Sequence, residues 1–394
     1  MIRGQVVLKK SRDTSLQRFH PWVFSGAIAN KDDAITDGDW VSVANASGKI
    51  LGHGHYQNGS IAIRILHFGS QAPAATIYRE KIAAALTLRE KTGLISAETN
   101  AFRLIHGEGD GLPGLIIDYY DGVAVMQAHS FGMHNDRSQI AEALKHVFHE
   151  KLNAVYYKSK TTLPGKGRDE QQDAYLSGMS GVPHVVLEHG NKFYVDWEEG
   201  QKTGFFLDQR ENRKLLGEFS ANKKVLNTFC YTGGFSVYAL KAGAEFVHSV
   251  DASEKAIELT RKNLELNGFD PNANGCHAMD TFDFLKDKKD VYDLIILDPP
   301  AFAKHRDARH QAMKGYQRLN SEAMRAIKSG GIIFTFSCSQ VVDRQLFYDT
   351  VSSAAILAGR EVKVLHQLTQ PPDHPVSMFH PEGEYLKGLV VYVA

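Results

Sequence analysis

The residues from Lys223 to Ser253, KKVLNTFCYTGGFSVYALKAGAEFVHSVDAS, constrain the fold more than any other stretch. Val225–Asn227 has the length and apolarity of a short strand, Thr228–Gly234 is a tight glycine-containing turn, and Phe235–Lys241 reads as a helix. Phe246–Val250 follows as a second strand and stops at Asp251. Strand, glycine turn, helix and a terminal acid, in that order, describe one nucleoside-binding half of a doubly wound parallel sheet. In that reading Gly233 and Gly234 let a ligand approach the backbone. The helix start offers free N–H groups to an anion, and Asp251 accepts hydrogen bonds from both ribose hydroxyls. A structural turn in an ordinary α/β domain explains the same residues.

Two later stretches extend the pattern. Leu294–Pro300, LIILDPP, is a buried strand ending in Asp298, Pro299 and Pro300, and Ile332–Ser339, IIFTFSCS, is another strand with Cys338 at its end. Both endings should reach the carboxyl edge of one sheet, where ligands of α/β proteins bind. Between them run further strands and helices. Ser253 is positioned to cap a helix Glu254–Asn267 that Gly268 ends. Ala273–Ala278 is a third strand followed by Asp280, which either caps the helix Thr281–Leu285 or faces a ligand. Arg309–Ile327 and Arg344–Leu357 are helices; Arg360–Leu365 and Gly388–Tyr392 are the last strands, with Glu382–Tyr385 turning the chain back antiparallel. Seven strands alternating with helices indicate a doubly wound sheet.

Four segments carry a family resemblance: KTGFFLDQR at 202–210, NTFCYTGGFSVYA at 227–239, LDPPAFAK at 297–304 and FSCS at 336–339. With them the chain resembles the Rossmann-fold, class I S-adenosylmethionine-dependent RNA methyltransferases. It is most similar to the PUA-domain-containing 23S ribosomal RNA (cytosine-5)-methyltransferases, and the likeness covers nearly the whole chain. The resemblance implies S-adenosylmethionine bound by Phe205, Gln209, Arg210, Phe229, Thr232, Gly233, Asp251, Ser253, Asp280, Asp298 and Pro299. It implies Cys338 and Asp298 as catalytic residues. Packing of Phe205 and its neighbours into a core is the alternative for that segment. HPWVFSGAI at 20–28 and GDWVSV at 38–43 resemble the start of a PUA domain, a small RNA-binding barrel.

The expected organisation is therefore a PUA-like β domain over residues 1–70, a central α/β insert over 71–185 and the methyltransferase sheet over 186–394. In the insert, Ile77–Gly93 has helical spacing, Asn100–Gly114 is dense in glycine and turn residues, and Leu115–Tyr119 with Val123–Ala128 form a hairpin across Tyr120–Gly122. The polar stretch 164–180 reads as a loop. Arg103, His106, Asp110 and Asp118 suit either a substrate cleft or hairpin and turn roles.

With 45 basic and 45 acidic residues the net charge is zero, so RNA contact must depend on local patches. Candidates are Lys9, Lys10 and Arg18; Lys158 and Lys160, with Lys166 and Arg168; and Lys304 and Arg306 directly after Asp298. Each could equally be a solvated face. Three cysteines, 230, 276 and 338, are far apart and show neither metal-ligand nor disulfide spacing, so no metal is expected and a reducing cytoplasm fits. No apolar run is long enough for a membrane span. Ribosomal RNA is the expected partner, and a homodimer is compatible with the sequence.

The chemistry expected of this family makes an aromatic carbon nucleophilic. A thiolate adds to C6 of cytosine, loads electron density onto C5, and leaves after the C5 proton is removed. Cys338, at a strand end between Ser337 and Ser339, is the candidate; a buried small hydrophobe is its bland alternative. Asp298 would hydrogen-bond the cytosine edge bearing N3 and the amino group. No second cysteine follows Pro300, where many relatives carry one, and the position reads Ala301. Two other readings remain open: methyl transfer to a guanine nitrogen or another RNA base, and a non-catalytic RNA-binding assembly factor that retains the fold.

Overall fold

The computed structural model describes residues 2–165, 172–303 and 305–394. The chain forms two compact units: Met1–Val186, Val195–Leu207 and Pro372–Gly383 make the first, and Leu187–Tyr194, Asp208–Pro371 and Glu384–Ala394 the second.

The first unit contains two sheets. A six-stranded sheet runs in the order Trp22–Phe24, Ile61–Phe68, Ile50–Tyr56, Trp40–Ala44, Gly4–Leu8, Ile28–Lys31. Val6, Val41, Val43, Ile63 and Ile65 alternate with outward residues along these strands and build its core. A five-stranded sheet runs Ala174–Ser177, Ala154–Tyr157, Val123–Ala128, Leu115–Tyr120, Ala101–His106. The helices Ile77–Lys91 and Arg137–Phe148 share its core.

Two of these strands lie where the sequence suggests turn or loop. Ala101–His106 pairs antiparallel with Leu115–Tyr120, and burial of Phe102, Leu104 and Ile105 outweighs the neighbouring glycines. Ala174–Ser177 pairs with Ala154–Tyr157; residues 166–171, including Lys166 and Arg168, lie outside the described residues. The four polar residues of the insert have structural partners. Arg103 forks onto Asp118 at 2.7 and 2.9 Å, and Asp110 pairs with Arg89 and accepts the His106 N–H at 2.6 Å.

The second unit is built around a seven-stranded sheet with helices on both faces, and also carries most of a two-stranded hairpin, His184–Glu188 with Asn191–Val195. The strands of the sheet are β1 Lys224–Thr228, β2 Phe246–Asp251, β3 Cys276–Ala278, β4 Leu294–Leu297, β5 Gly331–Ser337, β6 Val362–Leu368 and β7 Lys387–Val393. The order across the sheet is β3-β2-β1-β4-β5-β7-β6. All neighbours are parallel except β7, which is antiparallel to both β5 and β6, as the turn at Glu382–Tyr385 suggests. Six helices among the described residues accompany them, α1 Arg210–Glu218 ahead of β1 and α2 Gly234–Lys241, α3 Glu254–Leu266, α4 Thr281–Leu285, α5 Arg309–Ala326 and α6 Arg344–Ala358 between strands. No helix among the described residues is long and apolar enough to cross a membrane.

Consecutive residues of the central strands enter opposite cores. Val225, Leu294, Ile296, Phe334 and Phe336 pack on one face, and Leu226, Ile295, Leu297 and Ile333 on the other. Each such side chain contributes about 1.5–3 kcal/mol by burial. Because β4 is apolar on both faces, burial alone does not select its register. Acids bracket it instead. At the amino end Asp293 accepts from the Lys224 N–H and from Lys328 Nζ, each at 2.9 Å. At the carboxyl end Asp298 is held by a side chain from outside the sheet.

Candidate active site at the carboxyl edge

The sheet order reverses between β1 and β4, so their carboxyl ends flank the crevice in which ligands of doubly wound folds bind. After β1 the chain makes a strained turn. Phe229, Tyr231 and Gly233 have φ of 53°, 45° and 74°, left-handed values that cost free energy at the two aromatic residues. The turn persists because side chains fasten it. Thr260 Oγ1 donates to the Tyr231 carbonyl at 2.9 Å, Asn263 Nδ2 donates to the Thr232 carbonyl at 2.8 Å, and the Tyr231 N–H donates to Asp251 at 3.1 Å.

The glycines have a reason other than the one the sequence suggests. A Cβ on Gly233 would lie 2.7 Å from Thr260 Cγ2, and one on Gly234 would lie 2.9 Å from Arg213 Cδ. The space their missing side chains leave is filled by α3 and α1. Close helix approach and a left-handed turn explain them.

Asp251 ends β2 with its carboxylate fixed by two backbone donors, the Tyr231 and Ser253 N–H groups. A carboxylate has about four lone-pair sites, so two remain for a vicinal diol. Ser253 caps α3 through the Ala256 N–H, as expected. Asp280, exposed beyond β3, caps α4 through the Phe282 and Asp283 N–H groups. The capping role is thus present, and its second oxygen leaves an acceptor at the rim. A strained, clamped turn followed by fixed acids at the ends of β2 and β3 fits a bound nucleoside. Thr232 is buried in the turn and Phe229 half-buried at its start.

Asp298 follows β4 and is part-exposed. Gln209 Nε2 donates to it at 3.0 Å, and Asn212 Nδ2 in turn donates to Gln209 Oε1 at 2.6 Å. Burial, and then the nearby Asp208, push the Asp298 carboxyl up to about 7, while the Gln209 bond opposes the shift. Tyr385 donates to Asp208 at 2.7 Å. Pro299 is buried beside it. Phe302 packs on Tyr316, with ring centroids 4.6 Å apart.

A carboxyl raised in the fold lowers stability as pH climbs. Below about 4 both states hold the proton; between about 4 and 7 the unfolded chain releases it while the folded one keeps it. The stability lost over that window is roughly 2–4 kcal/mol. Asp298→Asn should therefore melt higher than the parent chain at pH 8 and equal to it near pH 4, as thermal scans at the two pH values would show. Equal melting at pH 8 would mean that the fold does not raise the Asp298 carboxyl.

Cys338 lies one residue past β5 and is partly exposed, whereas Cys230 and Cys276 are buried. Burial pushes both buried thiols up, most strongly Cys230, and favours their inert protonated form. The loop around Cys338 is tied down on both sides. Ser339 Oγ donates to the Ala303 carbonyl at 2.7 Å, and Lys387 Nζ donates to the Ser339 carbonyl at 2.6 Å. Tyr316 is fully buried on α5, with Ser337 and the Phe302 backbone beside its hydroxyl. Both Cys338 and Asp298 are near enough to act on its charge.

The other predicted residues have the following surroundings. Arg210 is fully buried and ion-paired with Glu188 at 3.4 Å; Arg213 forks onto the same carboxylate at 2.8 Å twice. Phe205 belongs to the first unit, buried there, with its carbonyl accepting from Tyr120 at 3.4 Å. Lys9, Lys10 and Arg18 are exposed at one end of the six-stranded sheet, Lys9 donating to the Gly26 carbonyl at 3.0 Å. Lys158 is half-buried, bonded to the Gly200 carbonyl at 2.6 Å, with Asp173, Asp196, Glu198 and Glu199 acting on it; its surroundings are less basic than its own segment. Lys160 is exposed. Arg306 opens a short 3₁₀ turn, Arg306–Ala308, and Lys304 lies outside the described residues. Asn212, Glu188, Tyr316, Tyr385 and Lys387 were not legible as site residues, because each acts through a partner distant in sequence.

Comparison with known proteins agrees with this geometry. Residues 6–68 match the PUA-like domain family. The ribosomal RNA large subunit methyltransferase I of Alteromonas mediterranea is 39% identical over 395 residues, covering 99% of both chains. A candidate S-adenosylmethionine-dependent methyltransferase from Streptococcus mutans superposes with a TM-score of 0.84 at 24% identity over 100% of both chains. A candidate methyltransferase solved with S-adenosylhomocysteine does so with the same score, identity and coverage, a likeness of fold. Residues 102–382 match the S-adenosylmethionine-dependent methyltransferase family, and with that span and the full-length relative the chain belongs to this family.

Proposed function

We propose that the protein methylates C5 of a cytosine in large-subunit ribosomal RNA, through a transient bond between Cys338 and C6 of the base. The observation that carries this reading is a single partly exposed cysteine at the end of β5, beside a raised carboxyl at the end of the neighbouring β4. The name of the 39% identical relative supports ribosomal RNA as the substrate.

Bound S-adenosylmethionine supplies an electrophilic methyl group. Asp251 and Asp280, with Phe229, Thr232 and Gly233 of the turn, would hold it. The chain's own residues then prepare the base. Cys338, as thiolate, forms the S–C6 bond, and the displaced π electrons make C5 nucleophilic. Asp298, half-protonated near neutral pH, donates to or accepts from the N3 edge and offsets the charge that develops there. The Gln209–Asn212 relay keeps that carboxyl in one orientation. Once C5 carries the methyl group, loss of its proton drives out the Cys338 thiolate. The base must leave its stack to reach such an edge, and splayed, unpaired nucleotides are what RNA enzymes of this kind select. The 1–70 module, with Lys9, Lys10 and Arg18 at one end, supports a role in gripping RNA outside the catalytic sheet. Lys158, Lys160, Lys304 and Arg306 are further candidates for phosphate contact.

A large-subunit RNA fragment containing 5-fluorocytosine is the direct test. Fluorine at C5 cannot leave as a proton, so the enzyme should stall as a methylated adduct on Cys338 when S-adenosylmethionine is present. Mass spectrometry of the linked peptide identifies the residue. Absence of any adduct, with cofactor bound and the native RNA methylated, rejects the covalent route.

A further inference from the structure

Lys387 is an unusual residue for the interior. It opens β7 opposite Ser337 of β5, is 4% exposed, and has its Nζ 2.6 Å from the Ser339 carbonyl. Lysine is seldom buried to this extent without a charged partner. The acid closest to that role, Glu384, is bonded to Arg344 Nε at 3.2 Å. After burial, the group that acts most strongly on the Lys387 charge is Cys338. The backbone explains the proximity. Ser337 and Lys387 face each other in the last antiparallel pair of the ladder, so the residue after Ser337 emerges beside the first side chain of β7.

We propose that Lys387 is the positioning residue that holds Cys338 as a thiolate, its ammonium pinned to the Ser339 carbonyl on the far side of the sulfur's own loop. This deepens the Cys338 reading and rests on it. The thiol proton passes to solvent water, and the sulfur keeps the electron pair that later forms the S–C6 bond. Lys387 stays protonated and is not consumed. The same charge favours the sulfur as leaving group when the S–C6 bond breaks.

Other charged groups bear on the pair. Glu384, Asp343 and Arg344 act on Lys387, and Tyr316, itself within reach of Asp298, acts with Cys338. Burial, opposed by the sulfur's negative charge, leaves the lysine lowered to about 8. The ammonium form therefore predominates at neutral pH.

The test uses the full chain without RNA or cofactor. Alkylation of Cys338 by iodoacetamide is followed by peptide mass spectrometry across pH 5–10 as a planned range of roughly five units. In Lys387→Met the pH of half-maximal rate should rise by about one unit or more, with roughly tenfold slower alkylation at neutral pH. Lys387→Arg should stay near the parent profile. A folded Lys387→Met protein with an unmoved profile overturns the proposal and leaves the lysine as a tether for the Ser339 carbonyl. A second measurement does not depend on that variant folding. By reciprocity, Cys338→Ala should lower the titration midpoint of Lys387 in NMR of lysine-labelled protein; an unchanged midpoint overturns the proposal equally. The two readings fail separately. A lysine-dependent profile without a 5-fluorocytosine adduct rejects the cytosine route alone, and an adduct with an unmoved profile rejects the lysine alone.

Discussion

Cys338→Ala should lower methyl transfer to large-subunit ribosomal RNA by at least about 10³-fold while leaving S-adenosylmethionine affinity within about twofold. The reason is chemical. Cytosine C5 in the intact ring is a poor nucleophile, and removing the thiol removes the means of activating it. The thiol is partly exposed, so its loss opens no sealed cavity and the fold should be kept. Methyl incorporation from labelled cofactor and calorimetry of cofactor binding would measure the two effects. Retention of more than about a tenth of the activity would point instead to transfer onto a nitrogen, which needs no thiolate. Cys338→Ser adds a stricter control, since it preserves shape and hydrogen bonding but offers a much weaker nucleophile.

Glu188→Ala should be the most destabilising single change in the second unit. Glu188 is completely buried, and its two oxygens meet Arg210 at 3.4 Å and Arg213 at 2.8 Å, with the Tyr238 hydroxyl donating at 3.1 Å. Removing the carboxylate leaves two buried guanidinium groups without their counter-charge. Such a loss typically costs about 3–5 kcal/mol, a fall in melting temperature on the order of 10 °C. A triple replacement by Leu at 188 with Met at 210 and 213 should recover much of that loss, because no charge is then buried unpaired. Thermal scans of the three proteins decide it, and a Glu188→Ala chain as stable as the parent would contradict it. Activity should fall with the single variant too. Gln209, which holds Asp298, sits immediately before α1, and α1 carries both arginines.

The two consequences have one origin. The helix α1 and the residue before it join an ion cluster to the candidate catalytic edge: Arg210 and Arg213 meet Glu188, while Asn212 bonds Gln209, which bonds Asp298. Asn212 and Gln209 are one turn apart, so the amide relay follows from helical spacing. The sequence marks Gln209 and Arg210 as neighbours of the cofactor but does not reveal that they point to different partners. Glu188 lies 25 positions from Arg213 and Asp298 lies 89 from Gln209, separations at which no local pattern operates.

The amino-acid order by itself determined the strand–turn–helix units, the two endings Asp298 and Cys338, and their common edge. Those follow from short-range physics: apolar runs at strand length, acids and prolines that stop them, and serine and aspartate caps that start helices. Only the tertiary structure decided which glycine gaps are filled by Thr260 and Arg213, that Arg210 belongs to Glu188, and that Lys387 meets the Cys338 loop. These depend on burial and on charges meeting across strands, and neither exists until distant segments pack. Lys387 illustrates the reason. As a residue in a chain it is one of many cations; opposite Ser337 in an antiparallel ladder it is a buried charge bonded to the loop that carries Cys338.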